Sequence, residues 1–534
     1  MRKWNGWGDE STDFPANPGI KRFLVQELGN SRSLRDAGRD EVLATVPPSR
    51  LGPHPLVSTD PWLRVLHARG QSLPDWLALR SGKMAPFPDG VAEPTTSADV
   101  KTLLEWACEQ DVTVIPYGGG TSVAGHINPL EGARPVLTLS LARMNGLLAL
   151  DRESQLATIG AGANGPQVEA LLNAEGYTLG HFPQSFELST LGGWVVTRSS
   201  GQQSMRYGRI EQMFAGGTLE TLQGTMDIPT FPASSAGPDL REVVLGSEGR
   251  IGVLTEVKVR ATRLPECEEF RAFFLPDWAS ASKAIRELAQ LRLPFSMLRL
   301  SNADETSTQL IMAGHEKQIA LLDKYLRLRG AGDGRCMMMV GLTGSRATVR
   351  FALRELNRQL GRYGAVGTAQ VMGRKWAFNR FRAPYLRESL WQLGYAVDTL
   401  ETAVDWPRVT PAITEIESAL RVGLGDEGER VFPFTHLSHL YSQGSSIYTT
   451  YVFRVGKDYE ETLARWQKLK RAASEAIVRM GGTISHQHGV GRDHAPYLPA
   501  EKGELGMKAL AAICHHFDPE RRLNPGKLLM DEES

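Results

Sequence analysis

The sequence predicts an α+β protein of more than one domain. Three observations lead there. β-rich runs alternate with helical periodicity between residues 92 and 260, the same texture restarts near residue 266, and 534 residues are too many for one ordinary core.

The elements follow in order. Residues 1–90 are rich in Pro and Arg and read as a helical extension, with Trp62, Leu63 and Leu66 near His67 forming one short helix. Residues 91–265 form the first domain. Ser97 is the expected N-cap of a helix that places Val100, Leu103, Leu104 and Ala107 on one face. Strands are expected at 112–115 and 136–139. The runs 147–150 and 156–159 flank a polar turn and read as a hairpin. Pro166 opens a helix over 167–175 that Gly176 stops, and 253–260 is a strand. Residues 266–480 form a second block, a sheet covered by helices, with strands at 270–275, 297–300, 337–342 and 447–455. Its helices are expected at 278–291, 346–360 and 459–480, the last closed by Gly481 and Gly482. The tail, 481–534, offers turns at 517–519 and 524–526.

Composition narrows the function. Lys plus Arg and Asp plus Glu both total 60, so no basic surface calls for nucleic acid. The four cysteines, Cys108, Cys267, Cys336 and Cys514, are scattered, which argues against a disulfide framework and suits a reducing compartment. No apolar run approaches the ~20 residues that cross a bilayer. The N-terminus has no apolar signal core, and Asp531, Glu532, Glu533 and Ser534 are not a peroxisomal tripeptide. A cytoplasmic protein is expected, with peripheral contact at a membrane surface left open.

Three glycine-rich segments carry the strongest chemical signal. Pro116, Tyr117, Gly118, Gly119, Gly120, Thr121 and Ser122 form a loop nearly free of side chains at its tip, and the segment runs on to His126. Backbone without Cβ atoms can turn its N–H groups onto an anion. The loop has neither the Lys of a mononucleotide P-loop nor the G-x-G-x-x-G spacing of a Rossmann turn. A neutral cradle with small hydroxyls suits the diphosphate of a dinucleotide such as FAD. The second segment holds Pro183, Gln184, Ser185, Phe186, Glu187, Leu188 and Ser189, then Gly192 and Gly193, then Val196, Thr197, Arg198 and Ser199. Paired glycines let backbone lie flat on a planar ring, and the hydroxyls can bond its heteroatoms. The third is Gly246, Ser247, Glu248, Gly249, Arg250, Ile251 and Gly252. Each alone also reads as a bare turn; three together point to a cofactor site.

His486 and His488 follow the long helix, and His436 and His439 lie upstream. No H-E-x-x-H and no neighbouring carboxylate accompanies either pair, so acid/base or anion-binding imidazoles are expected and a metal site is not. Tyr448 and Tyr451 should face opposite sides of their strand. Arg387 and Arg299 read equally well as ordinary surface arginines.

Taken in order, residues 3–8, 115–122, 180–194, 246–256, 438–448, 485–491 and 524–528 resemble the vanillyl-alcohol-oxidase type of FAD-binding fold and, within it, are similar to the alkylglycerone-phosphate synthase family. The resemblance runs over nearly the whole chain. It implies a two-subdomain FAD-binding domain at 91–265, an α+β cap with an antiparallel sheet at 266–480, and a C-terminal segment at 481–534 returning to the FAD domain and active site. It further implies an exchange of the acyl group of acyl-glycerone phosphate for a long-chain alcohol, through a flavin N5 adduct, in ether lipid synthesis. FAD contacts would come from 116–122, 183–189, 196–199 and 246–252. Arg387 would handle substrate, Tyr448 would be the acid/base group, His486 and His488 would belong to an essential histidine cluster, and Arg299 would be functionally sensitive. A tyrosine can act as base if cations lower its pKa from about 10. Where the family has three consecutive histidines, Gln487 stands in the middle here. Tyr117 occupies the usual place of flavin attachment, so non-covalent FAD is expected. A homodimer is implied by the family alone.

The alternative is an FAD-dependent D-2-hydroxyacid dehydrogenase or oxidase, whose substrate carboxylate would meet a divalent metal on His436, His439 and His488. A flavin-binding scaffold without chemistry is a third reading.

Overall fold

The computed structural model describes residues 2–12, 14–368 and 370–530. Met1 and the acidic terminus 531–534 lie outside the described residues.

Two larger sheets build the N-terminal half, beside a two-stranded pairing of Tyr177–Thr178 with Thr262–Arg263. The first has the order Val57–Ser58, Gly90–Ala92, Val136–Ser140, Thr113–Tyr117, with the last three strands parallel. The second is antiparallel, in the order Leu147–Asp151, Leu156–Gly160, Val253–Arg260, Phe214–Thr221, Gly224–Ile228. The helix Ser97–Glu109 sits between them and buries Val100, Leu103, Leu104 and Ala107. Its cap is Thr96 rather than Ser97. The Thr96 hydroxyl accepts from the Asp99 amide while the Asp99 carboxylate accepts from the Thr96 amide, a reciprocal pair that needs three-residue spacing.

The C-terminal half carries seven antiparallel strands, in the order Val366–Thr368, Cys267–Leu275, Cys336–Gly344, Phe295–Ser301, Val431–Leu437, Gly444–Arg454, Tyr395–Asp405. Along Cys336–Gly344, Met338, Val340 and Leu342 pack into one core and Met337 and Met339 into another, so this half of the sheet is covered on both faces. The other half differs. Ile447, Tyr451 and Phe453 face helices, whereas Tyr448, Thr450 and Val452 face an internal cavity. Tyr448 and Tyr451 do point to opposite faces.

Several elements here escape sequence reading. Val431–Leu437 contains Pro433, which argues against a strand. It is tolerated because pairing to Phe295–Ser301 involves only His436 and Leu437, leaving Pro433 with a neighbour on one side. Helix Trp406–Val422 likewise contains Pro411. The tail is more than turns: it carries the helix Leu498–Phe517 and runs back into the first half. Leu498, Cys514, Leu523 and Leu528 join the N-terminal core, and Leu523 forms a parallel bridge with Val114.

Candidate active site

One cavity of about 510 Å3 is lined by all three glycine segments, by the cap sheet and by the loop after the long helix. From the glycine segments it is lined by Pro116, Tyr117, Gly118, Gly119, Gly120, Thr121 and Ser122, by Pro183, Gln184, Ser185 and Ser189, by Val196, Thr197 and Ser199, and by Glu248, Gly249 and Gly252. The rest of the expected cofactor set stands behind this lining. Phe186 stacks on Phe381 at 4.7 Å, Glu187 accepts from the Tyr385 hydroxyl at 2.7 Å, and Arg198 pairs with Glu242 at 3.0 Å. Ile251 is core, Arg250 donates to the Asn524 carbonyl at 3.1 Å, and Gly246, Ser247 and Leu188 shape the turns.

The residues fit an FAD diphosphate. The amides of Gly118 to Val123 find no hydrogen-bond acceptor among the described residues, although this loop is largely covered. Such amides call for an anion. The loop also lies backbone to backbone on the second segment. A Cβ on Gly119 would fall 1.9 Å from the Leu188 carbonyl oxygen, and one on Gly118 would fall 2.3 Å from Thr190 Oγ1.

The reactive end is assembled by sheet register. His436 pairs with Tyr448, and Tyr448 with Glu401, so three adjacent strands place these side chains in one row. His436 stacks on Tyr448 at 4.9 Å and 20°, and His488 meets the Tyr448 ring edge at 5.7 Å. Arg299 Nη2 donates to Glu305 Oε1 at 2.6 Å, and His436 Nδ1 lies 3.0 Å from the same oxygen. Burial opposes the charge on Glu305, but His436 and Arg299 outweigh it and hold the carboxyl down at about 2. Glu401 is the second buried carboxylate. It accepts the Gln487 and His488 amides, both at 2.7 Å, and burial is again outweighed, here by the hydrogen bonds from His486 and the Gln487 amide, which hold it below the usual range.

Neither carboxylate neighbours a histidine in sequence, so the local sequence around each pair shows no acidic companion, yet the fold supplies one to each. The companions arrive from another strand and a helix. The imidazoles of His436, His439, His486 and His488 are pushed down, chiefly by burial, which favours their neutral forms. Among the described residues no group of three His, Cys, Asp or Glu is arranged to hold a metal.

Two further expectations change in detail. Tyr448 is raised, first by burial and then by Glu401 and Asp398, with Arg299 only partly opposing. The phenol is therefore held protonated rather than lowered toward a base. His486 does not line the cavity; its Nε2 engages Arg209 and the Tyr441 hydroxyl, both at 2.6 Å, while Gln487 and His488 face inward.

Arg387 is partly buried, its guanidinium lying against the Trp76 face, 4.5 Å away. Nη1 donates to the Gln71 carbonyl at 2.6 Å, whereas Nε and Nη2 have no partner. Burial pushes its pKa down to about 10. A guanidinium at a cavity wall with two unpartnered nitrogens is a site for an anion. Beyond it the cavity becomes apolar, lined by Ile20, Phe23, Leu24, Leu390, Phe432 and Val452.

Comparison with known proteins bears on this arrangement. Residues 88–227 match the FAD binding domain family and residues 264–528 the C-terminal domain of FAD linked oxidases. The chain is 30% identical to the alkyldihydroxyacetonephosphate synthase of Dictyostelium discoideum over 88% of this chain and 78% of that protein. It is 27% identical to that of Trypanosoma brucei brucei over 99% and 92%. A solved alkyldihydroxyacetonephosphate synthase structure superposes with a TM-score of 0.85 at 26% identity, covering 98% of both chains. Glycolate oxidase and D-2-hydroxyacid dehydrogenase relatives are less similar, at 22 to 23%.

Proposed function

The chain belongs to the alkyldihydroxyacetonephosphate synthase family, and on that premise we propose that it exchanges the acyl group of an acyl-glycerone phosphate for a long-chain alcohol, forming an ether. One observation carries the reading: a single cavity joins a glycine-lined cradle, a guanidinium whose Nε and Nη2 have no partner, and an apolar arm. These match a dinucleotide, a phosphate and an aliphatic chain.

FAD, bound against the glycine segments, supplies an electron-poor ring at which substrate carbon can be held and released without net redox change. The chain's own groups do the rest. Arg387 holds the substrate phosphate through Nε and Nη2. Neutral His436 and His488 are the available proton acceptors, and a proton taken from the carbon beside the ketone leaves enolate charge that Arg299 stabilises. Tyr448, held protonated, donates to the departing carboxylate. The apolar arm places the alcohol and excludes water.

Peripheral contact with a lipid surface belongs to the same proposal. Helix Glu316–Leu328 exposes Leu321, Tyr325 and Leu328 along one face, and Met312 just before it both lines the cavity and reaches the surface. No helix among the described residues is long and apolar enough to cross a membrane.

The test is anaerobic. Purified protein is mixed with D-lactate, D-2-hydroxyglutarate and glycolate, then with palmitoyl-glycerone phosphate and hexadecanol. Yellow colour that persists with the acids, together with ether product from the ester, is expected. Bleaching by a hydroxy acid without ether formation would establish the dehydrogenase instead.

A further inference from the structure

The glycine cradle poses an electrostatic problem. A diphosphate carries negative charge, yet among the described residues the only Lys or Arg side chains lining the cavity are Arg299 and Arg387, both contributed by the cap half. Arg2 reaches the loop but donates to the Gly119 carbonyl and does not line the cavity.

A buried imidazole stands just behind the loop. His126 Nδ1 lies 2.6 Å from Ser122 Oγ, and His126 Nε2 lies 3.1 Å from Glu248 Oε1. The Ser122 oxygen also accepts the His126 amide at 3.0 Å. A hydroxyl has two acceptor positions and one proton. When the imidazole carries both protons, its Nδ1–H and the His126 amide point at Ser122 Oγ, with the Ala124 amide beside them at 3.4 Å, and the Ser122 proton turns away from the imidazole, to the side of the cavity that Ser122 lines. Glu248 is itself fixed by the Val490 and Gly491 amides at 2.5 and 2.8 Å. Gly489 passes directly over the pair: its φ is +79°, and a Cβ there would fall 2.5 Å from His126 Nε2 and 2.8 Å from Glu248 Oε1.

We propose that His126, acting through the Ser122 hydroxyl and balanced by Glu248, supplies the positive charge that the glycine loop lacks for the cofactor diphosphate. His126 is thus a positioning residue. The inference rests on the FAD reading of the site and adds a charge source to it. Burial disfavours the imidazolium, but Glu248 outweighs burial and raises the His126 pKa. Asp493 adds in the same direction, Lys527 opposes, and His488 is a further titratable neighbour. Because the pKa is raised, the charge persists to higher pH than on an ordinary imidazole and is lost as pH climbs through the folded value. FAD affinity should fall with it.

The experiment measures the FAD dissociation constant of the full chain by flavin fluorescence quenching, from about pH 6.5 to about pH 9. Wild type should weaken as pH rises. His126→Gln should weaken binding about 10- to 100-fold at neutral pH, the range of a charge-assisted hydrogen bond, and lose the pH slope. Ser122→Ala should behave alike. His126→Gln with wild-type affinity, or with the wild-type slope, overturns the proposal. Should that variant not fold, Ser122→Ala decides: wild-type affinity and slope there overturn it equally. Wild-type protein that takes up no FAD at any pH would overturn the cofactor reading itself, a different result.

Discussion

The two ends of the cavity are built in opposite ways. At the cradle, each contributing segment is contiguous, and its shape follows from atoms that are missing. At the reactive end, Arg299, Glu305, Arg387, Glu401, His436, Tyr448 and His488 come from seven different elements or loops. The cradle depends on backbone that can approach backbone. The reactive end depends on register, and a slip of one residue in Gly444–Arg454 would turn Tyr448 into the core and Thr449 into the cavity. Cofactor recognition is therefore written locally, while the chemistry is written in the pairing of distant strands.

Substitutions should separate the two ends. The largest effect is expected from Tyr448→Phe. It removes only the donor hydroxyl, so turnover of palmitoyl-glycerone phosphate should fall about 100- to 10,000-fold. The flavin absorbance per chain should stay at the wild-type value. A variant that exchanges at the wild-type rate would remove Tyr448 from the chemistry.

Gly119→Ala addresses the cradle with a smaller effect. The new methyl would fall 1.9 Å from the Leu188 carbonyl oxygen, so one segment must move. Overpacking costs ~1–3 kcal/mol, which as FAD affinity is about 5- to 150-fold. Here flavin content should drop first, and turnover per bound flavin should change little. Equal loss of both would mean that the two ends are mechanically coupled, as the hold of Glu248 on the Val490 and Gly491 amides would permit.

The same contrast explains what the amino-acid sequence discloses. Val253–Arg260 and the hairpin near 151 are readable because alternation and turn residues are local signals. The glycine segments are readable because absent side chains leave a mark in the chain itself. Glu305 and Glu401 are not. Nothing within three residues of either marks it as the partner of a histidine, since Glu305 meets His436 only once the helix 303–312 packs on 431–437, and Glu401 meets its partners only once 395–405 pairs with 444–454 and the loop at 485–491 closes over it. His126 is an intermediate case: it sits four residues from Ser122, yet its charge depends on Glu248, more than a hundred positions away.

Glu305→Gln probes that long-range pairing. His436 would lose the carboxylate anchoring Nδ1, and a buried donor left without a good acceptor costs ~1–3 kcal/mol, so kcat should fall about 5- to 150-fold with FAD retained. The pH dependence carries the sharper signature. Burial and Arg299 lower the His436 pKa, while Glu305 raises it. Deleting the negative charge lowers it further. If neutral His436 accepts the proton, the acid limb of the rate profile must move to lower pH in the variant. An unmoved limb would assign the proton transfer to His488.

Gln487→His is expected to do least, and the reason lies in how Gln487 is used. Its amide holds Glu401 at 2.7 Å, a bond that any residue with an N–H preserves. Its side chain faces the cavity, with Oε1 buried and unpartnered. An imidazole placed among His486, His488 and other buried histidines would itself be kept neutral by burial, so it would add a hydrogen-bonding group rather than a charge. Ether formation should then change by less than roughly threefold, under ~1 kcal/mol, with FAD affinity untouched. A rise beyond tenfold would show that a third imidazole limits exchange in this chain. The proton inventory of the reactive end would then have to be drawn from the loop at 485–491 rather than from the strand row of His436 and Tyr448.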